Sequence, residues 1–362
     1  MIEYENLYKS NITLFEEYSQ SFEYFLKSGR FILGEQVEKF EEEFACFIGS
    51  KYCIGVASGL DAMIIALDAL DLPKGSEVIV PSNTYIATIM AIIRVGLTPV
   101  LVEPNLHTYN IDPQKIQEKI TPKTRVILVV HLYGKACDMK PIEQIAQTHQ
   151  LVILEDCAQA HHAKFKDKQV GTFGIGCFSF YPTKNLGALG DGGAITTNDE
   201  EFAHKLKAYR NYGSHKKYIN KYLGYNSRLD EIQASFLRKK LKLLPQITKH
   251  KRDLASLYLQ NLCKEKYILP QVHQDFFDVY HIFNIRHSQR DKLKEYLLSH
   301  HITTEIHYPI PPHKQEAMQK ILQGEYPISE EIHNTTLSLP IALFHTKEDI
   351  LQIIDILNRW QR

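Results

Sequence analysis

Neither sign of charge is in excess in this chain: 42 lysines and arginines face 42 aspartates and glutamates, a formal charge of zero. A protein that grips nucleic acid or an anionic membrane surface by electrostatics needs a basic surplus, so neither partner is expected. No run of about 18 apolar residues occurs, which argues against a transmembrane helix. The N-terminus, Met1-Ile-Glu-Tyr-Glu-Asn6, lacks a basic stretch followed by an apolar one, so no secretory signal is expected. The six cysteines (Cys46, Cys53, Cys137, Cys157, Cys177 and Cys263) form no CxxC pair, and most lie in apolar runs. They read as buried free thiols of a reducing compartment, hence a cytoplasmic protein, with no metal site expected. Internal repeats and low-complexity segments are absent. So is the dinucleotide fingerprint G-x-G-x-x-G: Gly55-Val-Ala-Ser-Gly59 does not fit it, which argues against a nicotinamide-dependent dehydrogenase.

What is present is an ordinary globular composition, 362 residues with 44% hydrophobic and 23% charged. That is enough for one large domain and a smaller one. Residues 12–28 and 35–47 carry apolar side chains at helical spacing. Short apolar strands at 53–57, 77–80, 98–102, 125–130, 151–154, 176–180 and 193–197 then follow. Helical segments at 60–70, 87–95, 113–120 and 142–148 alternate with most of them. The strand runs are continuous rather than alternating, the pattern of strands covered on both faces. The expected fold class is therefore α/β, with a mainly parallel central sheet flanked by helices. A helix from 229 to 244 is expected to stop at Pro245. Beyond Lys249 the chain is more charged, and a strand at 279–286 precedes a helix at 290–300. The expected division is a large domain at 1–248 and a small C-terminal α+β domain at 249–362.

In such sheets, ligands bind where the strands end. Two motifs fall there. Leu154-Glu-Asp156-Cys-Ala-Gln159 places an acid after an apolar strand. Phe178-Ser-Phe-Tyr-Pro-Thr-Lys184-Asn-Leu-Gly-Ala-Leu-Gly-Asp-Gly-Gly193 places one lysine between a hydroxyl-rich strand end and a glycine-rich turn. Together they supply what pyridoxal phosphate requires. Lys184 would form the Schiff base, provided its amine is neutral enough to attack an aldehyde. Asp156 would keep the pyridine nitrogen protonated. Gln159 is close enough in sequence to reach the ring oxygen. The phosphate needs N–H groups at a helix start, and Ser58-Gly59-Leu60-Asp61 offers them, although an ordinary N-cap looks the same. Ser179 could add a hydroxyl and Tyr85 could stack on the ring. Asn226 sits in a loop entering a helix, where capping alone would explain it.

These motifs resemble the DegT/DnrJ/EryC1/StrS family of nucleotide-sugar aminotransferases. The matching stretches run almost end to end: Arg30 to Gly34, Val56 to Asp61, Pro81 to Thr88, His131 to Gly134, Leu154 to Ala160, Phe178 to Gly193, Asn226 to Gln233 and Ile306 to His313. The resemblance implies an aspartate aminotransferase-like fold (pyridoxal-phosphate fold type I). It implies that Lys184 is the Schiff-base lysine, Asp156 the partner of the ring nitrogen and Gln159 a contact of the ring oxygen. Tyr85 would stack, and Gly59, Leu60 and Ser179 would hold the phosphate. Asn226 would reach the phosphate of a neighbouring subunit, making a homodimer with shared active sites. His307, Tyr308 and His313 would line the nucleotide-sugar cleft. Leu60 departs from the threonine of many relatives, and His162 from a common glycine. Ser-Gly-Leu-Asp61-Ala and Tyr85-Ile-Ala-Thr resemble most the enzymes that aminate C3 of dTDP-3-keto-6-deoxyhexoses with L-glutamate, by a ping-pong route. The alternatives are a C4 or UDP-sugar aminotransferase, a dehydratase (whose family members carry histidine where Lys184 stands) and a non-catalytic binding protein.

Overall fold

The computed structural model describes residues 1–361. Seven strands form its central sheet: β1 (Tyr52–Val56), β2 (Glu77–Pro81), β3 (Thr98–Val102), β4 (Thr124–Val130), β5 (Val152–Asp156), β6 (Ile175–Ser179) and β7 (Gly193–Thr197). Their spatial order is β1-β7-β6-β5-β4-β2-β3. Only β7 runs against its neighbours; the other pairings within the sheet are parallel. The continuous apolar runs have the cause expected of them. Along β4, Ile127 and Val129 enter one core, while Val126, Leu128 and Val130 enter the other. Both faces of the strand are thus covered.

The first core holds α2 (Glu35–Ile48) at its centre, where Phe40 and Phe44 pack edge-on against Phe178 and Phe180, while α1 (Phe15–Ser28) packs through Tyr18 on Phe236 in a small separate cluster. The second is lined by α3 (Gly59–Asp68), α4 (Ile86–Arg94) and α6 (Glu200–Tyr209), while α5 (Met139–His149) belongs to the first. Cys53, Cys137, Cys157 and Cys177 are buried free thiols, whereas Cys46 is exposed. Among the described residues no helix is long and apolar enough to cross a membrane.

Two expectations fail at the C-terminal side. The helix expected to end at Pro245 instead runs on as α7 (Glu231–Asn261), with Pro245 inside it. A proline in a helix interior costs about 3 kcal/mol through the lost donor and the ring clash. The packing on either side outweighs that: Leu237, Leu241 and Leu244 enter the first core, and Leu254, Ala255 and Tyr258 enter a third. Burial of each large apolar side chain is worth about 1.5–3 kcal/mol. The strand expected over 279–286 is shorter, β8 (Phe283–Arg286). Its first half is diverted because Tyr280 takes a left-handed φ of 45° and the Val279 N–H bonds Gly134 O at 2.9 Å. Antiparallel to β8 lies β9 (Thr336–Leu339). With α8 (Arg290–Ser299) and α10 (Lys347–Arg359) they enclose the third core, on which Ile2 also packs. The intervening helix α9 (Pro327–Thr335) faces the other way, its Ile332 joining Met318 and Leu322 in the second core.

Candidate active site

The ends of β1 and β6 and the start of β7 lie side by side: Gly193 pairs with Val56 on one flank and with Ser179 on the other. The backbones approach so closely that side chains would not fit. A Cβ on Gly193 would lie 2.3 Å from Ser58 O, and one on Gly59 would lie 2.6 Å from Ser179 Cβ. Ser58 caps α3, its hydroxyl accepting from Asp61 N at 3.1 Å and its carbonyl from Ala62 N at 2.9 Å. That leaves the N–H groups of Gly59 and Leu60 as the orphan donors of the first turn, beside the Ser179 hydroxyl. Gly59, Leu60 and Ser179 thus offer the kind of donors an anion needs at a helix start. Asp61 has a separate duty, accepting from Ser227 Oγ at 2.7 Å and tying the 226–228 loop to the start of α3. Asn226 itself is exposed.

Asp156 ends β5. Burial pushes its carboxyl up from the ordinary range, against the downward pull of the Thr88 hydroxyl (2.8 Å), the Ala158 N–H (3.1 Å), Lys184 and His131. Thr88 is in turn linked to Thr84 at 2.7 Å. A buried carboxylate so placed favours a cationic partner. Lys184 lies in the loop after β6, in a turn closed by its N–H to Tyr181 O at 2.9 Å. Burial drives its amine down to about 8, and the Asp156 carboxylate only partly opposes this. The next residue, Asn185, is anchored by Val279 O at 3.1 Å and by Lys251 Nζ at 2.9 Å.

Gln159 is fixed at both ends of its amide, accepting from Tyr133 N at 2.7 Å and donating to Tyr308 Oη at 2.8 Å. Tyr308 lies against half-exposed Tyr85, with ring centroids 5.1 Å apart. The Tyr133 hydroxyl donates to the His307 carbonyl, and the His307 ring meets Ser338 Oγ at 2.9 Å. Burial holds the His307 imidazole down at about 4. Gln159, Tyr85, Tyr308 and His307 thus form one connected group, and the charges of Lys184 and Asp156 act on His307 and Tyr308 respectively. His313 stands apart from it, buried against Tyr326 and paired with Glu330 at 3.0 Å. His162 adopts φ 75°, bonds Thr248 Oγ1 at 3.1 Å and packs between Phe47 and Phe277, so the departure from glycine is absorbed by the core.

Four contributors escaped the motifs' functional reading: Thr88, Tyr133, His131 and Glu155. Thr88 could have been found as the hydroxyl one turn after Tyr85 on an apolar helix. His131, Glu155 and Cys157 lie close enough to suggest a metal site. The ring of His131 and the carboxylate of Glu155 are engaged otherwise. His131 Nδ1 accepts from Cys137 N at 3.0 Å, and Nε2 faces Glu155 Oε2 at 3.0 Å. Glu155 also accepts from the N–H groups of Gly171, Phe173 and Gly174. This is a buried hydrogen-bond network that fixes the loop before β6.

A neutralisable amine, a buried acid and free N–H groups at a helix start, all where strands of the sheet end, fit pyridoxal phosphate. Residues 13–358 match the DegT/DnrJ/EryC1/StrS aminotransferase family. The chain belongs to that family. A dTDP-3-amino-3,6-dideoxy-α-D-galactopyranose transaminase of Aneurinibacillus thermoaerophilus is 50% identical over 361 residues, 99% of each chain. The crystal structure of Streptomyces venezuelae DesV in complex with a ketimine intermediate superposes with a TM-score of 0.97 at 40% identity, covering 99% of this chain and 98% of that one. Bacillus subtilis NtdA with bound cofactor PMP gives 0.92 at 31%, covering 98% and 83%. This DegT/DnrJ/EryC1/StrS member is an aminotransferase of the α/β, pyridoxal-phosphate-dependent kind.

Proposed function

We propose that the enzyme transfers the amino group of L-glutamate to C3 of a dTDP-3-keto-6-deoxyhexose, giving a dTDP-3-amino-3,6-dideoxyhexose and 2-oxoglutarate. The observation that carries the chemistry is the buried Asp156 carboxylate at the end of β5, held by Thr88 and Ala158 N–H, beside the strand β6 that leads into the Lys184 loop. The likeness to the Aneurinibacillus transaminase supports the substrate.

When bound, pyridoxal phosphate supplies an electron sink and a carrier for the amino group. The chain's own residues do the rest. Lys184 would anchor the cofactor and, when free, its amine is the group that would take the proton from the donor's α-carbon. Asp156 would pair with the ring nitrogen, with Thr88 and Ala158 N–H fixing its two oxygens. Gly59, Leu60 and Ser179 would hold the phosphate, Gln159 would reach the ring oxygen with its second amide N–H and Tyr85 would cover the ring. His307 and Tyr308 form the sugar-nucleotide wall, with His313 behind it.

The active unit in this reading is a homodimer in which Asn226 serves the partner's phosphate. Its exposure, and the exposed apolar side chains of Phe31, Ile32, Tyr181, Leu189 and Leu223, support that reading. The buried free thiols support a cytoplasmic location. The separate third core supports a small domain at 249–362, joined to 1–248 through α7.

The test is incubation of holoenzyme with L-glutamate and a panel of dTDP- and UDP-keto sugars, with the product's amino position read by NMR. Amination at C3 of the dTDP-3-keto-6-deoxyhexose is expected. Amination confined to C4, or to UDP sugars, would overturn the substrate assignment.

A further inference from the structure

A second cavity touches the Lys184 loop. It is lined by residues 182–185, by Glu5 and Ser10 of the N-terminal segment and by Lys240, Ile247 and Lys251 of α7. It is a polar recess of about 350 Å³, partly open to solvent. That is room for a small ion and a water.

Lys240 is 5% exposed and Lys251 6%. Ammonium groups this deep require compensating charge. Among the described residues, neither has a carboxylate oxygen within 4.0 Å. Lys240 makes one long hydrogen bond, 3.5 Å to Asn11 Oδ1. Lys251 reaches Asn185 Oδ1 at 2.9 Å and His281 O at 3.3 Å. Each ammonium has three protons to place, so donors remain on both. Glu5 is the carboxylate whose field reaches both lysines. Its Oε1 is already occupied by Asn6 N and Ser10 Oγ. Burial lowers both amines to about 8, which leaves them mainly charged at neutral pH. With Lys184, which also lines the recess, taken up by the cofactor in the holoenzyme, two cations against one carboxylate leave one positive charge in this polar space.

We propose that this cavity binds a small monovalent inorganic anion of the halide class, held between the Lys240 and Lys251 ammonium groups. A single negative charge balances the excess. Lys251 also holds Asn185, so the bound anion braces the residue next to Lys184 against α7 and the N-terminal segment.

Crystals of the wild-type holoenzyme soaked in sodium bromide test this directly. An anomalous peak between the two Nζ atoms is expected. Water alone at that position, with no anomalous signal, would overturn the proposal and leave deprotonation of one lysine as the way the charge is relieved. In solution, the Tm of the holoenzyme should rise when chloride replaces gluconate at equal ionic strength, and K240M should lose that rise. A rise that K240M retains in full places the anion elsewhere and also overturns the assignment. The bromide experiment stands even if K240M folds poorly.

Discussion

A lysine amine at its ordinary pKa near 10.4 is neutral in only about one molecule in 2,500 at pH 7. At about 8, the value burial imposes on Lys184, roughly one in ten is neutral. The apo enzyme should therefore gain its yellow colour with pyridoxal phosphate at a rate that rises with pH and levels off near 8. A rate still climbing tenfold per unit at pH 9 would show that the amine is not desolvated. Lys184→Ala should lower turnover by at least about 10²–10⁴-fold, the usual range for a lost acid–base group, and should leave no lysine there for borohydride to fix. His162 tests a different balance. Its left-handed φ of 75° costs about 1–2 kcal/mol that glycine would not incur. Its Thr248 bond and its packing between Phe47 and Phe277 return about as much. His162→Gly should thus change stability by less than about 1 kcal/mol, whereas His162→Ala, which keeps the strain and loses the contacts, should cost about 1–2 kcal/mol. Denaturant midpoints separate the two, and turnover should be unchanged in both.

At the scale of elements, the strands of the large domain were legible because each is an apolar run covered on both faces, and the donors at the start of α3 because Ser58-Gly59 stands between a strand and a helix. Less legible was what depends on distant partners. Pro245 reads as a stop, and only the cores at both ends of α7 reveal why the helix continues. Glu231 lies in a motif that reads as a loop entering a helix, yet its carboxylate caps another helix altogether. Gly34 N, Gln36 N and Val37 N donate to it at 3.0, 2.6 and 3.1 Å, satisfying the start of α2 from almost 200 residues away. No local pattern announces such a contact, since Gly34 offers no side-chain cap of its own. Glu231→Ala should strand three buried donors and cost about 3 kcal/mol or more, because each unsatisfied buried group costs about 1–3 kcal/mol. Glu231→Gln, which keeps two acceptor lone pairs on one oxygen, should lose less. Equal losses in urea unfolding of the two variants would show that the carboxylate's two oxygens do not act as the cap.

For the whole molecule, the buried histidines set the response to acid. Burial holds His161 down at about 3 and His162, His307 and His333 at about 4, against an ordinary value near 6.5. In the unfolded chain these rings take up protons as pH falls through 6.5, while in the folded protein they stay neutral until about 4. Their contribution to stability is therefore complete above 6.5 and is lost progressively as pH falls toward 4. Each histidine can contribute a slope of up to about 1.4 kcal/mol per pH unit within that window. Asp156 and Asp278, whose carboxyls burial pushes up, act in the opposite sense, two groups against these four and His250, His281 and His345, which burial also lowers. Lys184, Lys240 and Lys251, held at about 8, favour the folded state as pH rises above 8, but burial pushes up the thiols of Cys53, Cys137, Cys157 and Cys177, which act in the opposite sense above about 9. The urea midpoint of the apo enzyme should accordingly fall clearly from pH 7 to pH 5 and stay level between about 6.5 and 8. A midpoint that holds steady from pH 7 to 5 would mean that these imidazoles are protonated inside the fold, with partners other than the ones that surround them in the structure.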